Sequence, residues 1–142
     1  MTEFDPVIGQ PHTLAPLLSV VVAPNASPMT HTGTNTYLLG DTALAVIDPG
    51  PDDPAHLDAL MRAIAGRTVS HILLTHSHLD HSPLARPLAG LTGAQVLAYG
   101  HSHAGRSPIM QALADQGLTG GGEGIDRDFA PDATLEDGAV IT

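Results

Sequence analysis

Residues 72–83 read ILLTHSHLDHSP, so that His76, His78, Asp80 and His81 fall within six positions directly after an apolar run. Imidazole and carboxylate are the donors that zinc, iron and manganese accept. The chain has no cysteine, which excludes disulfides and thiolate metal sites. In an extended segment residues i and i+2 point the same way, so His76 and His78 can reach one metal together. Asp80 and His81 come after the chain has turned and would point to a second ion. Two ions about 3.5–4 Å apart can hold a bridging hydroxide and polarise a substrate oxygen at once. A chance cluster of surface histidines is the competing reading. Four ligand-type residues behind a buried strand favour the metal.

The elements that must position this loop follow from pattern. Residues 17–23, LLSVVVA, read as a strand, and NASPMTHTGTN after them as a loop dense in turn formers. NTYLLG and ALAVID read as two strands joined by Asp41 and Thr42. Asp53-Pro54 has the form of an N-cap with proline at the first helical position. Leu57, Leu60, Met61 and Ile64 recur at helical spacing over 55–65, and Gly66 ends that helix. VSHILLTH is a strand whose apolar run predicts burial on both faces. It ends near Thr75, and α/β sheets place ligand sites at such carboxyl ends. SPLARPLAGLTG predicts a short helix with a breaker at Pro87, AQVLAYG a strand, and SPIMQALADQG two to three helical turns. GLTGGGEG at 117–124 reads as a flexible loop, and ATLEDGAVIT as a pair of strands. Alternating strands and helices predict an α/β (α+β) domain whose sheet is covered by helices.

Fifteen acids face five arginines and no lysine, a formal charge of −10. A nucleic-acid binder that neutralises phosphates needs a basic patch, and none is visible. The acidity favours bound cations; plain solubility is its ordinary explanation. The N-terminal MTEFDP has no basic residue, unlike a signal peptide. LAPLLSVVVAP is too short and too broken by Pro16 and Pro24 to span a bilayer. A cytoplasmic protein without membrane contact is expected.

The segment THSHLDH matches the His-x-His-x-Asp-His signature of the metallo-β-lactamase superfamily, and the resemblance extends along nearly the whole chain. HTGTNTYLLG resembles that superfamily's early strand segment, AVIDPG its hydrophobic-Asp-x-Gly segment, and TLEDGAVI the strand pair before its next ligand. The pattern looks like the β-lactamase-like-protein branch, which lies near the glyoxalase II-like thioesterases and includes endoribonucleases. The resemblance implies an αββα sandwich, with its N-terminal half present. It assigns His76 and His78 to a first metal and Asp80 and His81 to a second. It gives Asp80 a catalytic role in taking or handing on a proton at the attacking water, and Asp48 a supporting place beside the loop. Two zinc ions are implied, with iron or manganese as alternatives. The family's later ligands, a Gly-His-Thr-Pro-Gly-His segment, a bridging acid and a final His, find no match within the chain. Residues 1–142 are therefore expected to be one such domain reaching only to those ligands, as part of a longer parent. Completion by a second copy or partner, and a short natural module, are the alternatives.

The expected activity is that of a metal-dependent hydrolase, in which activated water attacks an ester, thioester, lactone or phosphodiester. The alternative is a catalytically incomplete metal-binding or interaction module. A small ester-like substrate is the expected partner; RNA fits the family but not the charge, and a homo-oligomer is open. His101 and His103 repeat the His-x-His spacing and are assigned substrate-side or solvent roles ahead of ligation. His31 is expected to hydrogen-bond within its loop, His56 to be solvated, and His71 to be packed or capped. GGGEG lacks the Lys-Ser/Thr of a phosphate loop, and no Gly-x-Ser-x-Gly elbow is present.

Overall fold

The computed structural model describes residues 4–117 and 124–142. The glycine-rich segment expected to be a loop falls mostly outside the described residues. Strands β1 (His12–Ala15), β2 (Leu18–Val22), β3 (Asn35–Gly40), β4 (Ala43–Ile47), β5 (Thr68–Leu73), β6 (Gln95–Ala98) and β7 (Ala133–Thr134) form one seven-stranded sheet in chain order. β1 to β4 pair antiparallel, and β4 to β7 pair parallel. Helices α1 (Pro54–Ile64), α2 (Ala85–Thr92) and α3 (Pro108–Asp115) lie between the parallel strands in sequence. This is the mixed α/β class the alternation implies.

Alternate strand residues build the core. Leu38, Leu44, Val46, Ile72 and Val96 pack with Leu60 and Ile64 of α1 and Leu88 of α2. Their in-register neighbours on the other face, Tyr37 with Ile47, Leu39 with Ala45, and Ile47 with Leu73, are half-buried or exposed. β5 therefore does not bury both faces as its apolar run suggests: Val69 and Ile72 are buried, whereas Thr68 and Ser70 are exposed. His71 sits half-buried on that second face, its Nδ1 3.1 Å from Ser70 Oγ, rather than packed in the core.

Helix ends follow local chemistry. Ala55 N–H donates to Asp53 Oδ1 (2.9 Å), as the capping pattern predicts. α1 closes one residue before Gly66, with Ala65 itself left-handed at φ 53°. Arg67 steadies this end by donating to the carbonyls of Ile64 and Ala63. Pro87 does not break α2. It occupies the first turn, where the N–H it lacks would have no intrahelical partner. The expected C-terminal strand pair is also absent among the described residues. Ala133–Thr134 pairs with β6, and the turn at Glu136–Ala139 leads to no returning strand. Asp132 anchors β7 by accepting from Val96 N–H and Arg86, which hold its carboxyl below the usual range. β1 carries no sequence signal because all four of its residues are exposed.

His56 corrects the sequence reading most clearly. Its ring is fully buried beneath the turn after β4, not solvated. A Cβ on Gly50 would come within 2.8 Å of His56 Cδ2, so the ring and a side chain at position 50 exclude one another. Thr36 Oγ1 donates to Asp48 O (2.8 Å) and lies 2.9 Å from His56 Nε2. With the Thr36 proton committed, Nε2 carries the proton of the second bond.

Burial lowers the His56 pKa, outweighing the opposing charge of Asp53. The unfolded chain then takes up a proton near the ordinary value of about 6.5 while the folded chain resists it. The stability that buried, neutral His56 contributes is complete above that pH and falls as pH drops from there toward the folded pKa. Urea unfolding in the presence of a chelator at pH 8, 6.5 and 5 should show this loss, and His56→Gln should flatten the dependence. Parallel curves for the two proteins would refute it.

Candidate metal centre

The site forms where β4 and β5 leave the sheet side by side. Ile47 pairs with Leu73, so Asp48 and Thr75 emerge at the same edge. Asp48 is buried and left-handed at φ 54°. Its Oδ1 accepts from Thr75 N–H (2.8 Å). Its Oδ2 accepts from Thr75 Oγ1 (2.6 Å) and lies 3.0 Å from His81 Nδ1. This carboxylate therefore holds both ends of the histidine loop. A proton on Nδ1 of His81, facing Asp48, leaves Nε2 as the donor to a metal, the usual carboxylate–histidine arrangement.

Two further clamps fix the loop. Gly50 N–H donates to His81 O (2.9 Å), and Leu84 N–H donates to Gly50 O (3.2 Å). On the other side Leu79 N–H donates to Gly124 O and Asp126 N–H to Ser77 O. The loop containing His31 also reaches the site, through a different residue. Thr34 Oγ1 donates to Asp80 Oδ2 (3.3 Å) and is held by Asn25 Nδ2 (2.9 Å), while His31 is exposed. Thr34, Thr36 and Thr75 carry no motif of their own; their roles come from contacts distant in sequence.

All four expected ligands converge. His76, His78 and Asp80 place one ligand atom each within 4.8 Å of one another, and so do Asp48, His76 and His81. His81 Nε2 lies 3.2 Å from Asp80 Oδ2. Donors about 2.0–2.2 Å from one ion stand at most about 4.4 Å apart, so small side-chain rotations bring each set onto an ion. Donor chemistry and spacing thus fit a hard or borderline divalent metal. His76 belongs to both sets, so the structure does not separate the loop into two independent pairs.

Electrostatics support ligation. Burial pushes the His76 pKa down, helped by the neighbouring His81 and His78, and keeps its ring neutral. Burial also opposes protonation of His81, but the hydrogen bond and charge of Asp48, then Asp80, raise its pKa overall. Beside the loop lies a cleft of about 670 Å³, lined by His76, His78, Tyr99, His101, Arg106 and Phe129 among others. His101 and His103 are exposed and lie outside both ligand sets.

Residues 29–142 match the family model of the Metallo-beta-lactamase superfamily, and the chain belongs to that superfamily. Atrochrysone carboxyl ACP thioesterase of Aspergillus fumigatus is 32% identical over 117 residues, covering 78% of this chain and 36% of that relative. A beta-lactamase-like protein 2 homolog of Caenorhabditis elegans is 31% identical over 85 residues, covering 57% of this chain and 28% of its own length. The solved structure of metallo-beta-lactamase SMB-1 aligns with a TM-score of 0.61 and 25% identity, over 94% of this chain and 49% of that one. The fold is thus that of the metallo-beta-lactamases, as the resemblance implies. The chain thus spans 36% and 28% of the lengths of these two curated relatives. Among the described residues no helix is long and apolar enough to cross a membrane.

Asp48→Ala would leave Thr75 and His81 facing a void. Hydrogen bonds to a charged group contribute about 1.5–3 kcal/mol each, so a loss of about 3 kcal/mol or more is expected in denaturant unfolding. Loss of the His81 support should weaken metal affinity about 10–100-fold. A change below about 1 kcal/mol in stability, with unaltered metal affinity, would remove Asp48 from this role.

Proposed function

We propose that this chain carries the metal loop of a zinc-dependent hydrolase that uses an activated water on an ester, thioester, lactone or phosphodiester. The observation that supports it is the convergence of His76, His78, Asp80 and His81 at the carboxyl end of β5, held by the buried Asp48. A thioester is favoured within that range, because relatives at 32% and 35% identity are named thioesterases. The chemistry that bound divalent zinc supplies is an activated water near neutral pH and polarisation of the scissile centre. Iron or manganese would suit the same donors.

The remaining roles belong to the chain. His76 and His78 line the cleft with their imidazole nitrogens as donors. His81 presents Nε2 while its Nδ1 is held by Asp48. Asp80, steadied by Thr34, holds or hands on the proton of the attacking water through its carboxylate. The cleft beside the loop takes a small substrate, and its volume of about 670 Å³ is ample for one. Phosphodiesters of RNA fit less well, since the chain has net charge −10. A cysteine-free chain suits a reducing, cytoplasmic setting.

The donor count favours a second reading, a metal-binding module without turnover. With Asp48 engaged by Thr75 and His81, four side chains, His76, His78, Asp80 and His81, remain for two ions, whereas catalytic zinc usually has three protein ligands per ion.

Elemental analysis separates the outcomes. About two metal ions per chain are expected, and His76→Ala or Asp80→Ala should each reduce that to one or fewer while abolishing hydrolysis of an acyl thioester. A folded variant with unchanged metal content would defeat the site assignment. Full metal content with no turnover of esters, thioesters, lactones or phosphodiesters would favour the module.

A further inference from the structure

A second cavity, about 460 Å³, opens against the metal loop at Leu79 and Gly124 and lies within the volume range of small-molecule sites. Its apolar wall is Leu79, Met110, Ala114 and Ile125, and its cationic lining is Arg106 and Arg127. We propose that this cavity binds an anionic group carried on an apolar chain, with Arg106 and Arg127 as the recognising residues. The proposal deepens the hydrolase reading, on which it rests for the direction in which a substrate lies.

Charge economy is the first argument. The chain has five basic residues against fifteen acids, and two of the five line this one cavity. Arg67 and Arg86 have structural work, on helix carbonyls and on Asp132. Among the described residues neither Arg106 nor Arg127 pairs with a carboxylate; Arg106 Nη1 meets only the neutral Gln111 Oε1, at 3.4 Å. Asp115, the acid on the cavity lining, accepts from Gln111 Nε2 (2.8 Å). Two arginines lining one cavity with an apolar wall suit a carboxylate or phosphate, which a guanidinium can grip in bidentate fashion. An anion approaching a chain of net charge −10 needs such a local reversal of sign.

Position is the second argument. Leu79 lies between His78 and Asp80, so the metal loop itself forms part of the cavity wall. Arg106, Met110 and Ile125 line both this cavity and the larger cleft that reaches His76 and His78. A substrate with its scissile bond in the cleft would thus extend its apolar chain across Met110 and Ile125. Its anionic end would rest between the arginines.

Titration calorimetry on the full chain tests this, with octanoate, octyl phosphate and octanamide as probes. A chelator is included so that the metal loop cannot hold the anion. Octanoate, octyl phosphate or both should bind at least about fivefold tighter than octanamide, and the tighter anion assigns the group recognised. Arg106→Gln and Arg127→Gln should each remove most of that preference, and the double variant all of it, with circular dichroism unchanged. Equal affinity for the three probes, or no binding of any, would overturn the proposal, whatever the variants' folding. So would a folded double variant that keeps the preference. Hydrolysis of an octanoyl thioester by the zinc-loaded chain is read separately. Its absence, with anion binding intact, counts against the hydrolase reading alone.

Discussion

The centre depends on one buried carboxylate. Asp48 is almost wholly removed from water, a state that is costly unless every oxygen finds a donor. Thr75 N–H, Thr75 Oγ1 and His81 Nδ1 provide those donors. The left-handed backbone at Asp48 adds a cost of about 1–2 kcal/mol. Charge-assisted bonds of about 1.5–3 kcal/mol each exceed it. The strain therefore persists, and it turns the chain so that the carboxylate faces the histidine loop instead of continuing along β4.

The sheet creates this meeting. Parallel strands deliver their carboxyl ends to one edge, and the register of Ile47 with Leu73 brings Asp48 level with Thr75. β6 ends at the same edge, which brings Tyr99 and His101 to the far wall of the cleft. Buried His56 acts from below. Through Thr36 it holds the carbonyl of Asp48, while Gly50, bare of a side chain against the ring, clamps His81 and Leu84 from its two backbone groups. Core packing under α1 and the geometry of the loop are therefore one structure.

Legibility in the sequence follows the range of each interaction. The local signals held: the β3–β4 hairpin at Asp41-Thr42, the Asp53-Pro54 start of α1, and the His76 to His81 loop after β5. Each is set by neighbours within a few residues. His56 reads as solvated because the sequence, which shows Gly50, does not show that the chain folds this glycine and Thr36 against its ring. β5 was read as buried on both faces because an apolar run does not reveal what covers each face. Pro87 was read as a breaker because its cost depends on a helix start two residues earlier. Thr34 and Thr36 were invisible for the same reason as His56: their partners Asp80 and Asp48 are 46 and 12 residues away.

Crowding sets the rings of the loop against their own protons. The His76 ring centroid lies 4.6 Å from that of His78 and 4.2 Å from that of His81. Three imidazolium charges at such distances would repel one another, and that repulsion adds to burial, the larger cause, in lowering the His76 pKa. The two nearby carboxylates support a proton on His81 through its partners Asp48 and Asp80, but they do not reverse the shift at His76. A divalent ion held by His76, His78 and Asp80 would resolve the conflict differently, satisfying imidazole lone pairs and the negative charge of Asp80 together. An anionic group beside acids so engaged would be met most effectively by cations outside the loop, and Arg106 and Arg127 line the adjoining cavity.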